Sequence, residues 1–223
     1  LRYSIEFEGA QDLAMQQFAK VVLDRAAQGL PQPDGLRVHV CGSASPLGMS
    51  AQAQTCLAVI TPGHFYIVDS GAGSGANIAQ ARLPMNRLQG VFLTHFHSDH
   101  IAELYELNLA SWVQGRPKPL QVHGPKGVRQ IVRGINESYE LDRGYRIEHH
   151  GADLLAPDLG KLQHNTVRAG VVLEDGEMRV TAYIAEHSPV SPALGYRFDY
   201  RDRSVVISGD SNVTPETKRI SAN

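Results

Sequence analysis

The stretch "VFLTHFHSDHIAEL", Val91 to Leu104, places three of the chain's ten histidines and one aspartate within six consecutive positions. Residues 90–94, "GVFLT", read as a buried strand, and residues 100–114 read as a helix. His95 and His97 are two apart. At a strand end, positions i and i+2 point to the same side, so the two imidazoles can converge on one cation. Asp99 and His100 follow as the chain turns, and they face a second spot close by. Imidazole and carboxylate together suit Zn²⁺, Mn²⁺ or Fe²⁺, with Zn²⁺ the default where nitrogen dominates. The spacing differs from the H-E-x-x-H helix of zinc proteases, which pairs positions i and i+4.

Working outward, apolar positions at near-helical spacing predict an amphipathic helix over 11–28, and "GLPQPDG" (29–35) is a linker with turn chemistry. Short strands follow at 36–42, 55–61 and 64–71, the last two joined by a Pro62-Gly63 turn. Residues 76–88 read as a helix interrupted by Pro84, 120–125 as a strand and 126–140 as a helix. Residues 141–165 carry little periodicity and read as a loop-rich insertion. The remainder reads as strands at 166–175, 178–187, 194–202 and 204–210. Strands alternating with helices, then a run of strands, imply a mixed α/β sandwich. The expected organisation is an N-terminal helix and linker (1–35) followed by one domain (36–223).

Bulk properties narrow the function. Of 223 residues, 42% are hydrophobic, which is enough for a sizeable core, and no apolar run approaches the ~20 residues of a membrane span. The net charge of −2 and the absence of a Lys/Arg run do not favour nucleic acid as the main partner. No signal peptide opens the chain, but Leu1 in place of Met leaves room for a removed leader, so the compartment stays open between cytoplasm and export. Cys41 and Cys56 show no metal spacing; two buried free thiols are the favoured reading and a disulfide the second. "DSGAGSGAN" (69–77) lacks the full dinucleotide-binding pattern and reads as a tight turn, and no G-x-S-x-G occurs.

"THFHSDH" resembles the signature of the metallo-β-lactamase superfamily. "HVCGSASPLG" (39–48), "FYIVDSGAG" (65–73), "VHGPKGVR" (122–129), "AEHSPVSPALGYRFDY" (185–200) and "VVISGDS" (205–211) resemble, in order, segments of its ribonuclease Z-like and arylsulfatase-like branch. The resemblance implies an αββα sandwich with metals at one edge between the sheets. It implies a first metal held by His95, His97 and His187, a second held by Asp99 and His100, and Asp210 bridging both. It also implies that Asp69 hydrogen-bonds the loop carrying the histidines. The family pattern adds a later histidine and a final αβ segment. Thirteen residues follow Asp210 and none is His, so the expectation is a fold lacking that last segment, with an incomplete set of ligands at the second metal.

The function expected is that of a metal-dependent hydrolase, with one or two Zn²⁺ per chain (Mn²⁺ or Fe²⁺ as substitutes) activating water, and Asp99 or Asp210 orienting it. A small phosphodiester or sulfate ester is the first substrate choice. A ribonuclease Z-type tRNA 3′ endonuclease stands behind it, then a β-lactam or lactone hydrolase, then an inactive binding remnant of the fold. His149 and His150 are candidates for lining a substrate entrance, no membrane partner is expected, and a homodimer is compatible with the resemblance.

Overall fold

The computed structural model describes residues 34–47 and 51–222. The helix expected over 11–28 and most of the 29–35 linker lie outside them. Ten strands form two sheets among the described residues. The first holds β1 (Arg37–Gly42), β2 (Cys56–Ile60), β3 (Phe65–Val68), β4 (Gly90–Phe92), β5 (Gln121–Gly124) and β6 (Gln163–Thr166), side by side in chain order. β1 to β3 pair antiparallel, with the Pro62-Gly63 turn between β2 and β3; β3 to β6 pair parallel. Parallel neighbours need crossovers. These are α1 (Ser74–Gln80), α2 (Ser98–Ile101) with α3 (Leu104–Val113), and α4 (Val128–Ser138) with α5 (Glu140–His150). The second sheet is antiparallel, in the order β10 (Arg203–Ile207), β9 (Val190–Tyr200), β8 (Met178–His187), β7 (Gly170–Asp175). A last helix, α6 (Pro215–Ser221), packs on β8 and β10.

Strand alternation divides the core in two. Phe65, Ile67, Val91, Leu93 and Val122 face the helices and pack with Ile78, Leu104, Leu107, Val128 and Val132. Tyr66, Val68 and Phe92 face the other way and meet Val180, Leu194, Tyr196 and Phe198 of the second sheet. Phe92 sits edge-on to Tyr196 (5.1 Å between centroids) and Phe198 (5.4 Å), an arrangement that suits aromatic quadrupoles. The continuously apolar strands of the sequence are those covered on both faces. No helix among the described residues is long and apolar enough to cross a membrane.

Two expectations change. Residues 141–165 are not chiefly loop: α5 runs to His150 and a 3₁₀ turn spans Pro157–Gly160. α5 buries only Arg143, so it has no apolar stripe to show in sequence. Polar and stacking contacts hold it instead: Arg143 Nη2 donates to the Asn136 carbonyl at 2.7 Å, Tyr105 donates to Asp142 at 2.5 Å, and Tyr105 stacks on Tyr139 at 3.6 Å. The segment read as one strand over 166–175 leaves the first sheet after Thr166 and enters the second at Gly170.

Cys41 and Cys56 form a disulfide, not free thiols, with Cα atoms 5.0 Å apart. A bulge between Val40 and Gly42 places Cys41 beside the Gly42–Cys56 pair. Such a register is not readable from composition. The bridge spans a sequence separation of 15 residues. Replacing Cys56 with Ala should lower stability by about 3 kcal/mol in urea unfolding, the loop-entropy value for a closure of this size. The oxidised parent should lose a similar amount on reduction, and a variant as stable as the oxidised parent would contradict the link.

Candidate metal centre

The centre starts from one carboxylate. β3 ends at Val68, and Asp69 follows with φ 59°, a left-handed conformation that a short polar side chain tolerates. Its backbone N–H donates to the Phe92 carbonyl at 3.0 Å, tying it to the end of β4. Its carboxylate is fully buried and takes three hydrogen bonds: Oδ1 from Thr94 N (2.9 Å), and Oδ2 from Thr94 Oγ1 (2.9 Å) and His100 Nδ1 (2.8 Å). Burial raises the Asp69 pKa, and the His100 and Thr94 contacts oppose that rise without cancelling it. Burial opposes the charged form of His100, but the Asp69 hydrogen bond and charge, helped by Asp210 and Asp99, outweigh it and hold the His100 pKa up. With Nδ1–H committed to Asp69, the other nitrogen of His100 is the free one. Nε2 is buried without a hydrogen-bond partner, 3.6 Å from Asp99 Oδ2 and 3.5 Å from Asp210 Oδ1.

The second sheet delivers the distant residues. Leu194 N donates to the Thr94 carbonyl at 2.9 Å, and the Tyr196 hydroxyl to the Leu93 carbonyl at 2.8 Å. These bonds seat β9 against the histidine loop, and β8, paired with β9, ends at His187 beside it. The His187 ring lies 4.7 Å from that of His95 and 5.3 Å from that of His97. Asp210 arrives after Gly209, whose φ is 61° and whose added Cβ would stand 2.8 Å from Thr94 Cγ2, so only glycine passes there. Ser211 Oγ accepts from Glu186 N (3.0 Å), and Asn212 N donates to the Glu186 carbonyl (2.9 Å), tying this loop to the strand that carries His187.

Ligating atoms of His95, His97 and His187 lie within 4.8 Å of one another, and so do those of His95, His100 and Asp210. His95 therefore belongs to both groups, where the resemblance implied only the first. Asp99 stands beside His100 but outside both trios. The His95 pKa is pushed down to about 3, first by burial and then by His100, His97 and His187, so its imidazole is neutral at pH 7. Its Nε2 is 2.9 Å from His97 Nδ1. Partnerless Nε2 atoms on His100 and His187, a neutral His95 and a nitrogen-rich donor set fit a divalent cation. His149 and His150 are exposed at the end of α5, and no hydrogen bond or ring contact joins them to this cluster.

Two supporting residues escape a sequence reading. Thr94 is one. Glu103 is the other: its carboxylate accepts from Gly73 N, from Gly75 N (2.6 Å) and from Ser74 Oγ (3.3 Å). It thereby caps α1, which has no side-chain cap of its own, and holds the loop that begins at Asp69. The "GAGSG" turn is thus a close-approach turn: a Cβ on Gly71 would fall 2.1 Å from the Asp99 carbonyl. Neither residue's role has a local signal, because the partners lie 25 to 30 positions away in sequence.

Comparison with known proteins agrees with this architecture. The family model for the metallo-β-lactamase superfamily matches residues 50–222. A curated ribonuclease Z of Mycobacterium sp. (strain KMS) is 35% identical over 178 residues, 79% of this chain and 61% of that protein. The ribonuclease Z of Mycobacterium marinum is 33% identical over 190 residues, 84% of this chain and 67% of that protein. The chain thus spans about three fifths to two thirds of the length of these relatives. Among solved structures, the metallo-β-lactamase fold protein YhfI from Bacillus subtilis superposes with a TM-score of 0.62 at 17% identity, covering 82% of this chain and 66% of that one. Human tRNase Z, short form, superposes with a TM-score of 0.60 at 18% identity, covering 81% and 71%. Relatives named as ribonucleases overturn the expectation that nucleic acid is not favoured as a partner. Net charge was the wrong guide, since it averages over a surface that a nucleic acid meets only in part. On the match of its family model and of these relatives, the chain belongs to the metallo-β-lactamase superfamily.

Proposed function

We propose that this chain carries the metal centre of a hydrolase that cleaves phosphodiester bonds in RNA, in the manner of a ribonuclease Z acting at the 3′ end of tRNA precursors. The observation that carries the reading is the convergence of His95, His97, His100, His187 and Asp210 at the ends of strands from two sheets. The choice of RNA over a small phosphodiester or a sulfate ester is supported by the curated relatives. Zn²⁺ is the proposed metal, one or two ions per chain, because imidazole nitrogen dominates the donor set. His95, His97 and His187 would hold one ion; His100 and Asp210, with Asp99 beside them and His95 within reach, would hold the other.

A bound divalent cation supplies Lewis acidity, which acidifies water and stabilises charge on the phosphate. The rest falls to the side chains. Asp210, half-exposed, and Asp99, buried beside His100, would accept hydrogen bonds from the attacking water, and one of the two would take its proton, while the bond from phosphorus to the leaving oxygen breaks and that oxygen takes a proton from solvent. Asp69 touches no substrate; it fixes the ring and tautomer of His100, and Thr94 fixes Asp69. Neutral His95 offers a lone pair without first losing a proton.

Two outcomes are expected. Replacing His95 and His187 together with Ala should remove bound metal from the dialysed protein and lower cleavage of a 3′-extended tRNA precursor beyond the roughly 100-fold upper range for outer-sphere changes. Full metal content with cleavage of bis-p-nitrophenyl phosphate but none of the precursor would shift the substrate to a small ester. Asp69→Asn presents an amide to the His100 Nδ1–H and should weaken Zn²⁺ binding by about 10- to 100-fold. Competition with a chromophoric chelator measures this, and unchanged affinity would remove Asp69 from its orienting role.

A further inference from the structure

Among the described residues the first sheet ends at β6, whose outer edge pairs with no other strand. α4 runs back alongside it: Asn136 Nδ2 donates to the Leu162 carbonyl at 2.9 Å, and Leu162 N donates to Asn136 Oδ1 at 3.0 Å. Between helix and strand lies a groove of about 390 Å³ whose lining includes Arg129, Arg133, Lys161 and His164. One end of it adjoins the histidine loop. A Cβ on Gly127, the residue before α4, would stand 2.9 Å from Phe96 Cε2, and Phe96 lies between His95 and His97 in the chain. At the same end Val167 N donates to the Gly124 carbonyl at 2.9 Å. With Gly124 opposite Thr166 in the parallel register, Arg168 just past β6 stands level with Lys126 just past β5.

Charge selects the class of occupant. Lys126, Arg129 and Arg168 are exposed, and among the described residues none of the three pairs with a carboxylate. Other surface arginines are matched: Arg146 with Asp142, Arg179 with Glu174, Arg201 with Glu177 and Arg219 with Glu216. The carboxylates of the groove, Glu137 and Glu140, sit at the end of α4 and the start of α5, away from the histidine loop, and Glu137 pairs with Arg133. The unmatched cations are therefore gathered at the rim beside the metal centre. Like charges gathered on one rim repel, and a polyanion laid across them offsets that repulsion. We propose that Lys126, Arg129 and Arg168, with the groove behind them, bind the phosphate backbone of the RNA whose scissile bond lies at the metal centre. This inference rests on the reading of that centre as an RNA hydrolase. A basic groove follows successive phosphates and positions a strand without reading its bases. The net charge of −2 conceals the patch, because the sum counts every carboxylate wherever it stands.

Stopped-flow anisotropy of a labelled 3′-extended tRNA precursor on the Zn²⁺-loaded protein, repeated across a series of salt concentrations, tests this. The triple variant Lys126→Gln, Arg129→Gln, Arg168→Gln should bind the precursor about ten-fold more weakly at low salt, and its slope of log affinity against log salt should be shallower by about 2, from roughly 0.7 per lost phosphate contact. Its Zn²⁺ affinity by chelator competition and its circular dichroism should match the parent, so that neither the centre nor the fold accounts for the loss. Lys218→Gln, on α6 at the second sheet, removes an exposed cation elsewhere and should leave binding unchanged. A parent that binds no RNA at low salt, a triple variant with the parent's salt slope, or an equal loss in Lys218→Gln would each overturn the assignment, as would binding of phosphatidylglycerol vesicles in place of RNA. A parent that binds the precursor through these residues but does not cleave it would sustain the RNA-binding rim and overturn the reading of the centre instead.

Discussion

Much of this molecule is organised around the Asp69 carboxylate. It is fully buried, and burial of a carboxylate is tolerable only where hydrogen bonds replace water. Thr94 supplies two such bonds and His100 the third. One group therefore joins the end of β3 to the loop after β4 and to the first turn of α2. It also decides which nitrogen of His100 is free. Glu103 supports the same loop from the start of α3, so the polypeptide around the centre is held by two acidic side chains whose hydrogen bonds go to the surrounding loops.

The two sheets then determine what that loop faces. Tyr196 and Leu194 bond directly to the backbone of Leu93 and Thr94, so the edge where the sheets meet is joined by hydrogen bonds as well as by aromatic packing. Because β8 and β9 form one antiparallel pair, seating β9 also seats His187. The loop after β10 adds Asp210 through a glycine that no larger residue could replace without moving Thr94. Donors from three separate parts of the chain thus meet at strand ends, where backbone pairing stops and side chains converge.

Electrostatics in the cluster are arranged for a cation. Burial and neighbouring imidazoles keep His95 neutral, while Asp69 holds the proton of His100 on the nitrogen that faces away from Asp210. The reading as an RNA phosphodiesterase rests on this donor set together with the relatives named ribonuclease Z. Overall charge argued the other way and was uninformative, because recognition depends on where charges stand and not on their sum.

The sequence by itself determined the kind of chemistry and most of the framework. The H-x-H-x-D-H spacing announces a metal centre because strand periodicity is local, and the apolar runs announce strands covered on both faces for the same reason. Asp69, His187 and Asp210 were legible through motif resemblance. Only the tertiary structure decided the rest. α5 has no apolar face, so polar contacts made at a distance define it. The Cys41–Cys56 bridge depends on a bulge, and one residue of register is invisible to pattern. Thr94 and Glu103 act on partners 25 to 30 positions away, and the membership of His95 in both donor groups comes from the approach of a second sheet. Periodicity and spacing report what a residue does to its neighbours in sequence. Burial of a charge, cross-sheet hydrogen bonding and strand register are relations between distant segments, and they take definite values only once the chain has folded.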